Sequence, residues 1–360
     1  MYIYVINRAF EKIGMIENAS VIWASRYYSC GDFEIYMPAT KKNIELIKQG
    51  YFVIKEDKET KKIDKDNVGI LEDLELSDEI EEGDMVTITG KFAPAILGKR
   101  IIAQQTQLKG NFQTSVRNLI TTNVINPVKS SRKISCIELG NLDDSITETL
   151  EMQTTGDNLL TKIEETSKNL GIGFRMPLKK NKIYFEMFKG IDRSYNQSKN
   201  PWIVFSDKYD NLSSSLYQKT TSIKKNVFLI ASEGEGLDRK TLWGSADDDE
   251  DSITDLDRIE TYVDARNMSS NEDNITDDEF YNQMNEEGKT HLVVTSENFD
   301  GTILLKNYKY GKPEDGGDFF LGDIITIEKN KWGLYINARV IEHIDSCDQN
   351  GKVETITLEI

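Results

Sequence analysis

The residues that could carry chemistry are few and poorly placed for it. The chain has two histidines, His291 and His343, and three cysteines, Cys30, Cys136 and Cys347, all far apart in sequence. A zinc centre needs closely spaced ligand pairs, and neither His-Glu-x-x-His nor Cys-x-x-Cys occurs. Both histidines are therefore expected to be structural or exposed. The odd, scattered cysteines are expected to be reduced and mostly buried, as in a chain assembled in a cytoplasm. Gly288-Lys289-Thr290 has the tail of a phosphate-binding loop, but Gln283 stands where the leading glycine is required, so Gly288 reads better as a helix cap. Gly171-Ile172-Gly173 lacks the third glycine of a dinucleotide fingerprint and follows a helix, not a strand. No Gly-x-Ser-x-Gly nucleophile elbow is present.

Carboxylates are abundant, and their distribution is the informative part. Asp247, Asp248, Asp249, Glu250 and Asp251 invite a calcium reading, because hard cations want several carboxylate oxygens. An EF-hand counted from Asp247 needs glycine at 252 and glutamate at 258, and finds Ser252 and Arg258. The run reads as a solvated acidic loop kept extended by self-repulsion, with irregular calcium binding as the alternative. Residues 247–287 hold 16 Asp or Glu against Arg258 and Arg266, a local balance of −14 within a net charge of −17. The remaining chain, 42 basic against 45 acidic residues, is close to neutral at −3. A nucleic-acid reader would carry the opposite, a basic stripe. Paired carboxylates for glycoside cleavage would stand singly at strand ends, whereas these acids concentrate in one segment.

The elements that must position these residues are mostly strands. Residues 1–108 show aromatic and β-branched runs at Val21–Tyr28, Phe33–Met37, Tyr51–Ile54, Val68–Leu76 and Met85–Thr89, with a turn at Ser29–Asp32 and a short helix predicted over Lys41–Gln49. Near Gly110 the period changes: Phe112, Val116, Leu119, Ile120 and Val124 predict a helix closed by Pro127. A second helix is predicted from Asp157 to Asn169, with Gly171 as its left-handed cap. Strands are expected at Ile134–Leu139, Ile172–Met176 and Ile183–Phe188, then at Trp202–Phe205 and Val227–Ala231. Thr276 with Glu279 is a capping box for a helix ending at Gly288. From Leu321 to Ile360, alternating residues separated by the turns Asn330–Gly333 and Asn350-Gly351 predict antiparallel strands with one wet face.

The expected architecture is α+β, mainly β. A first antiparallel β-barrel domain covers 1–108 and a small α+β middle domain covers 109–200. A second antiparallel β-barrel domain covers 201–236 and 290–360, with an acidic loop and helix insertion at 237–289. Gly83-Asp84-Met85-Val86-Thr87-Ile88 echoes Gly322-Asp323-Ile324-Ile325-Thr326-Ile327, which raises two related β modules against common turn chemistry. No apolar run is long enough for a membrane span, and the opening lacks the basic region of a secretory signal. Trp23 and Trp202 sit in apolar strands and are assigned to the core; Trp243 and Trp332 lie in turn-rich contexts and are candidates for a partner interface.

A series of stretches in one order then resembles the siphophage tail proteins whose fold is related to the baseplate hub of contractile T-even phages. They are Arg26–Glu34 with Pro38-Ala39-Thr40, Lys189–Ser194, Phe205-Ser206 with Asn211-Leu212, Asn226-Val227, Glu260–Arg266, and Leu321–Ile327 with Ala338-Arg339-Val340. The resemblance implies a structural, non-catalytic protein without cofactors, located in the virion tail and assembled in the host cytoplasm. It implies a homotrimer in which two β-barrels per subunit form a pseudo-six-fold ring. That ring would join the tail tube and distal tail protein to a spike, fibre or lytic protein at the tip. DNA would pass through without specific binding, and this chain would insert in no membrane. Asp247–Asp251 would then line the lumen or meet a partner. Larger relatives carry C-terminal enzyme or fibre domains, whereas this chain stops at Ile360, so wall digestion is expected from a separate protein. The alternatives are a tail-associated peptidoglycan hydrolase or endopeptidase, or a host carbohydrate-binding module using exposed aromatics.

Overall fold

The computed structural model describes residues 1–58, 60–79, 83–270, 275–293, 296–303 and 308–360. In the N-terminal part, alternation of apolar and polar residues builds β1 (Tyr2–Ile6), β2 (Lys12–Ile16), β3 (Ser20–Arg26), β4 (Asp32–Pro38), α1 (Lys41–Leu46), β5 (Phe52–Glu56), β6 (Ile63–Ile70), β7 (Asp73–Glu79) and β8 (Gly83–Lys91). They lie in two layers, β2-β1-β5-β6 and β3-β4-β8-β7. Ile3, Val5 and Val53 of the first layer meet Trp23, Phe33, Ile35, Val86 and Ile88 of the second in one core. Phe52 and Ile54, one residue out of phase with Val53, point the other way into the middle unit, so β5 is covered on both faces. The run Val68–Leu76, expected as one strand, breaks into β6 and β7. Leu71 turns the corner, exchanging backbone hydrogen bonds with Gly50 and Tyr51, and the chain changes layers there. Helix α1 is shorter than expected, and its Ile44 is exposed while Ile47 beyond it is buried.

The middle unit contains β9 (Thr106–Asn111), α2 (Phe112–Ile120), β10 (Ile137–Leu139), β11 (Thr149–Thr154), α3 (Leu159–Leu170), β12 (Gly173–Arg175), β13 (Leu178–Lys179) and β14 (Lys182–Phe188). Helix α2 runs on through a π turn to Ile125. Asn111 and Asn158 cap the two helices by accepting backbone N–H groups of the first turn. Gly171 closes α3 at φ 68°, a conformation that costs glycine least.

The remainder contains β15 (Val204–Ser206), β16 (Leu212–Thr220), β17 (Val227–Ala231), β18 (Thr241–Ser245), β19 (Glu260–Asp264), α4 (Asp277–Thr290), β20 (Ser296–Ile303), β21 (Ile324–Lys329), β22 (Leu334–Asp348) and β23 (Gly351–Glu359). Strand β17 does not join the second β unit. It pairs antiparallel with β18 and parallel with β19, and Phe228 and Ile230 face Phe280 and Met284 of α4. A five-residue apolar run shows that a strand is buried, not which sheet buries it. The acidic segment is therefore a folded unit with its own core, not only a loop and helix. The capping box at Thr276 and Glu279 forms as expected. Gly288 does not end α4, which continues to Thr290; a side chain at 288 would overlap the Phe228 ring, so glycine sets the approach of helix to sheet.

One sheet unites the two ends of the chain. Its strands run β16-β20-β23-β22-β3-β4-β8-β7, with β15 and β21 attached to the early half of β22. The seam is β22 against β3, antiparallel over Glu342–Cys347 and Val21–Arg26. No sheet of the described residues closes into a barrel; the two expected barrels are half-units sharing one sheet. Both halves have the same design. In sequence and in space, β3-β4-β8-β7 matches β16-β20-β23-β22, with alternating direction throughout. The Gly-Asp echo is not the mark of this likeness. Asp84 opens β8, whose counterpart is β23, whereas Asp323 precedes β21.

Candidate functional site

Among the described residues, no group of three or more His, Cys, Asp or Glu side chains is placed to hold a metal ion. His343 is buried, bonds Glu354 at 3.0 Å and stacks on Tyr310 at 3.6 Å between ring centroids. His291 lies 3.5 Å from Glu287 at the end of α4. All three cysteines are free, and burial first, then the charge of Glu164, pushes the Cys30 thiol up to about 12, which suits an inert packing group.

The five acids of 247–251 do not converge. The backbone there folds into short turns tied by Arg258, which donates to the carbonyls of Glu250 and Ile253. Among the described residues, Asp248 is the one of the five whose carboxylate is bonded: Lys289 and Asn285 of α4 donate to it, and those bonds hold its pKa below the usual carboxylate range. The unit is also clamped to the middle one. Buried Lys162 of α3 donates to both oxygens of Glu287 at 2.9 and 3.1 Å, Lys109 meets Glu279 at 3.0 Å, and Gln283 meets Gln107 at 2.7 Å.

The two tryptophans proposed as contacts lie apart. Trp332 is exposed in the turn between β21 and β22, with the Lys329 ammonium 5.4 Å from its ring. Trp243 is on the outer face of β18. Trp202, assigned to the core, is 53% exposed. It lies before β15 rather than within it, and its ring leans on Tyr195 at 5.0 Å, with Tyr335 6.3 Å beyond. Local apolarity misplaced it because Trp202 follows Pro201 outside the ladder, where strand alternation no longer governs.

The parts that geometry brings together are the seam, the free edges and the open face of the long sheet. At the seam, Arg26 bonds Glu342 at 2.7 Å and Asp32 at 2.5 Å, tying β22, β3 and β4. Next to it Tyr27 is fully buried; its hydroxyl donates toward the Gly171 and Phe188 carbonyls and accepts the Gly190 N–H. Gly322, at φ 88°, leaves room for that ring. Asp323 then locks the middle unit to the second β unit. It accepts Arg193 Nε at 2.8 Å in the interior, with the Ile191 N–H at 2.7 Å and the Phe320 N–H at 3.1 Å. Burial pushes this carboxyl up, against the pull of those donors.

At β7, an edge of the sheet among the described residues, Leu74 and Leu76 are exposed although they stand opposite fully buried Ile88 and Val86 on the core face of the sheet. Leu216 is exposed on the other edge strand, β16. The opposite face of the sheet carries Asp32, Glu34, Asp73, Glu75, Asp300, Glu342 and Glu359, the basic residues Arg26, Lys91 and Arg339, and exposed Ile22, Leu216 and Val353 among threonines and serines. Sequence alternation marked these strands; which edges stay unpaired and which faces stay open was not visible without the pairing.

This fold has relatives. The chain superposes on the tail protein from Neisseria meningitidis MC58 with a TM-score of 0.56 and 11% identity, covering 100% of this chain and 96% of that one. It matches the 43 kDa tail protein of prophage MuSo2 from Shewanella oneidensis with a TM-score of 0.56 and 12% identity, over 99% and 98%. For prophage tail protein gp18 from Listeria monocytogenes EGD-e the TM-score is 0.51 and the identity 11%, over 100% and 94%. At such identities these likenesses establish a common fold. No curated protein matches the chain. A family model matches residues 2–360, and the chain belongs to the siphovirus ReqiPepy6 Gp37-like protein family.

Proposed function

We propose that this phage-tail protein is a structural, non-catalytic hub of the tail tip. Its copies join edge to edge into a trimeric ring that connects tail tube and distal tail protein to the tip and leaves a passage for DNA. The observation that carries this reading is the repeated strand order. Because the two half-units match in order and direction, the step that takes one onto the other also takes β22 onto β7 and β3 onto the β16 of a following copy. The antiparallel seam inside the chain is thus the template for the contact between chains. An unpaired edge is a ready partner for another strand, and a head-to-tail contact closes when its rotation divides the circle. Two half-units per chain give three chains the pseudo-six-fold symmetry that a hexameric tube requires, with each expected barrel completed by a neighbour. Leu74 and Leu76 would be covered in the contact, each contributing roughly 1.5–3 kcal/mol if fully buried.

The open face then forms the wall of the passage, where carboxylates outnumber the basic residues and so oppose a grip on phosphate. The acidic unit roots in the connection between β16 and β20 and is fastened to the middle unit, which supports reading Asp247–Asp251 as a partner loop and not as the lumen lining. Virion-tail location and tail-component neighbours follow from the same reading. The test is sedimentation velocity and native mass spectrometry of the full chain across concentration. A trimer is expected, reduced to a folded monomer by Leu76→Asp with unchanged circular dichroism. A monomer at every concentration, or a stable assembly of another stoichiometry, would overturn the ring.

A further inference from the structure

The acidic unit presents a second surface that the hub reading leaves unused. Register places Trp243 of β18, Leu229 of β17 and Tyr262 of β19 in one row across the outer face of the three-stranded sheet. On the same face, Val227 and Ala231 of the central strand, two residues either side of Leu229, are buried, while their flanking-strand neighbours Thr241, Glu260 and Asp264 are exposed and polar. The exposed apolar surface of this face lies at the middle row, where Trp243 is 40% and Tyr262 is 56% exposed and Leu229 is partly exposed between them. Both aromatic rings are held in place. The Arg258 guanidinium sits 5.2 Å from the Trp243 ring and bonds Glu260 at 2.7 Å. Arg239 donates to the Tyr262 hydroxyl at 2.7 Å and pairs with Asp264, which also holds Arg266.

Three properties of this row select its ligand class. It is a sheet face, so a ligand lies along it and is not enclosed by it. The two aromatic side chains spring from strands two spacings apart, about 9.5 Å between backbones, the scale of a β-1,4-linked disaccharide repeat, which suits alternate sugar rings meeting successive aromatic side chains. Arg258 pairs with Glu260, and Arg239 and Arg266 share Asp264, so the charges beside the row are mostly met within the chain and offer hydrogen-bonding edges around the two aromatic side chains. The acidity of residues 247–257 further opposes polyanions. We infer that Trp243, Leu229 and Tyr262 form a stacking platform for a neutral β-1,4-linked glycan. Sugar rings suit it because their C–H faces pack on aromatic rings while their hydroxyls reach the arginines and carboxylates at the rim.

Isothermal titration of the full chain with chitohexaose and with cellohexaose tests this directly. Binding of at least one of them is expected, weakened about tenfold, a loss of about 1.4 kcal/mol, by Trp243→Ala and by Tyr262→Ala. Trp243→Tyr should retain most of the affinity, which guards against misfolding of the alanine variants, and Trp332→Ala should leave it unchanged. Absence of binding to both oligosaccharides at millimolar concentration would overturn the inference. So would equal binding by Trp243→Ala and Tyr262→Ala, or a lysine-rich peptide binding the row where neither glycan does, which would make it a protein contact. The outcome is independent of ring assembly, because the row lies on none of the edges that the ring uses.

Discussion

Arg193→Met should expose the electrostatic lock between the middle and second β units. The side chains of Arg193 and Asp323 are 7% and 5% exposed and 2.8 Å apart. Methionine fills much of the same space but leaves the carboxylate buried without its counter-charge, and breaking one partner of a buried pair costs about 3–5 kcal/mol. The Ile191 and Phe320 N–H groups still serve the carboxylate, so the cost belongs near the lower figure, about 3 kcal/mol. It should also depend on pH. Burial already raises the Asp323 pKa above 3.8, and losing Arg193 raises it further. A carboxyl whose folded pKa exceeds its unfolded one binds a proton more readily when folded. The variant's penalty is therefore small at low pH and grows as pH rises through that elevated pKa. Urea unfolding followed by tryptophan fluorescence at about pH 4 and about pH 8 reads both effects. The double variant Arg193→Met with Asp323→Asn should recover stability at high pH and lose the pH dependence. Lys219→Met, which breaks an exposed pair with Glu297, should cost no more than about 1 kcal/mol. If Arg193→Met behaves like Lys219→Met, or its penalty is the same at both pH values, the lock does not act as argued.

Three further outcomes are expected. The Glu354 carboxyl is held down from 4.5 to about 2: burial pushes it up, but His343 and Lys352 outweigh that. Its contribution, at most about 3 kcal/mol, is present above the unfolded pKa and lost as pH falls from about 4.5 toward 2, so urea midpoints of Glu354→Gln should fall less steeply across that window. Gly288→Ala should destabilise the acidic unit by about 1–3 kcal/mol through overlap with Phe228, exceeding the gain in helix propensity of up to about 1 kcal/mol; limited proteolysis within 247–287 should accelerate, and Phe228→Leu should reverse it. Thr276→Ala removes the capping box of α4 and should cost about 1 kcal/mol, read as faster amide exchange in its first turn.

Local signals were legible where one residue type dictates one geometry. The Thr276 and Glu279 box, the Gly171 cap and the period of α2 follow from backbone groups and side chains a few residues apart. Errors arose where a residue's role is set by something distant. Gly288 looked like a helix end, yet it is small because Phe228 lies against it. Trp202 looked internal because of its apolar neighbours, and Val227–Ala231 looked like part of the second β unit because it is apolar. The site was less legible than the fold. Nothing local ties Tyr262 or Leu229 to Trp243, and they meet it only through strand register.

The amino-acid sequence by itself determined that this is a mainly β protein, with its acidity gathered in one segment and without a recognisable reaction centre. Those properties are additive or short-ranged: alternation sets strands, caps set helix ends, and charge can be counted. Tertiary structure decided that strands over three hundred residues apart share one sheet, that its halves repeat one strand order, and that, among the described residues, β7 and β16 stand at its edges. Pairing depends on hydrogen bonds between segments whose sequences do not name their partners, so edges and seams exist only once the chain has folded.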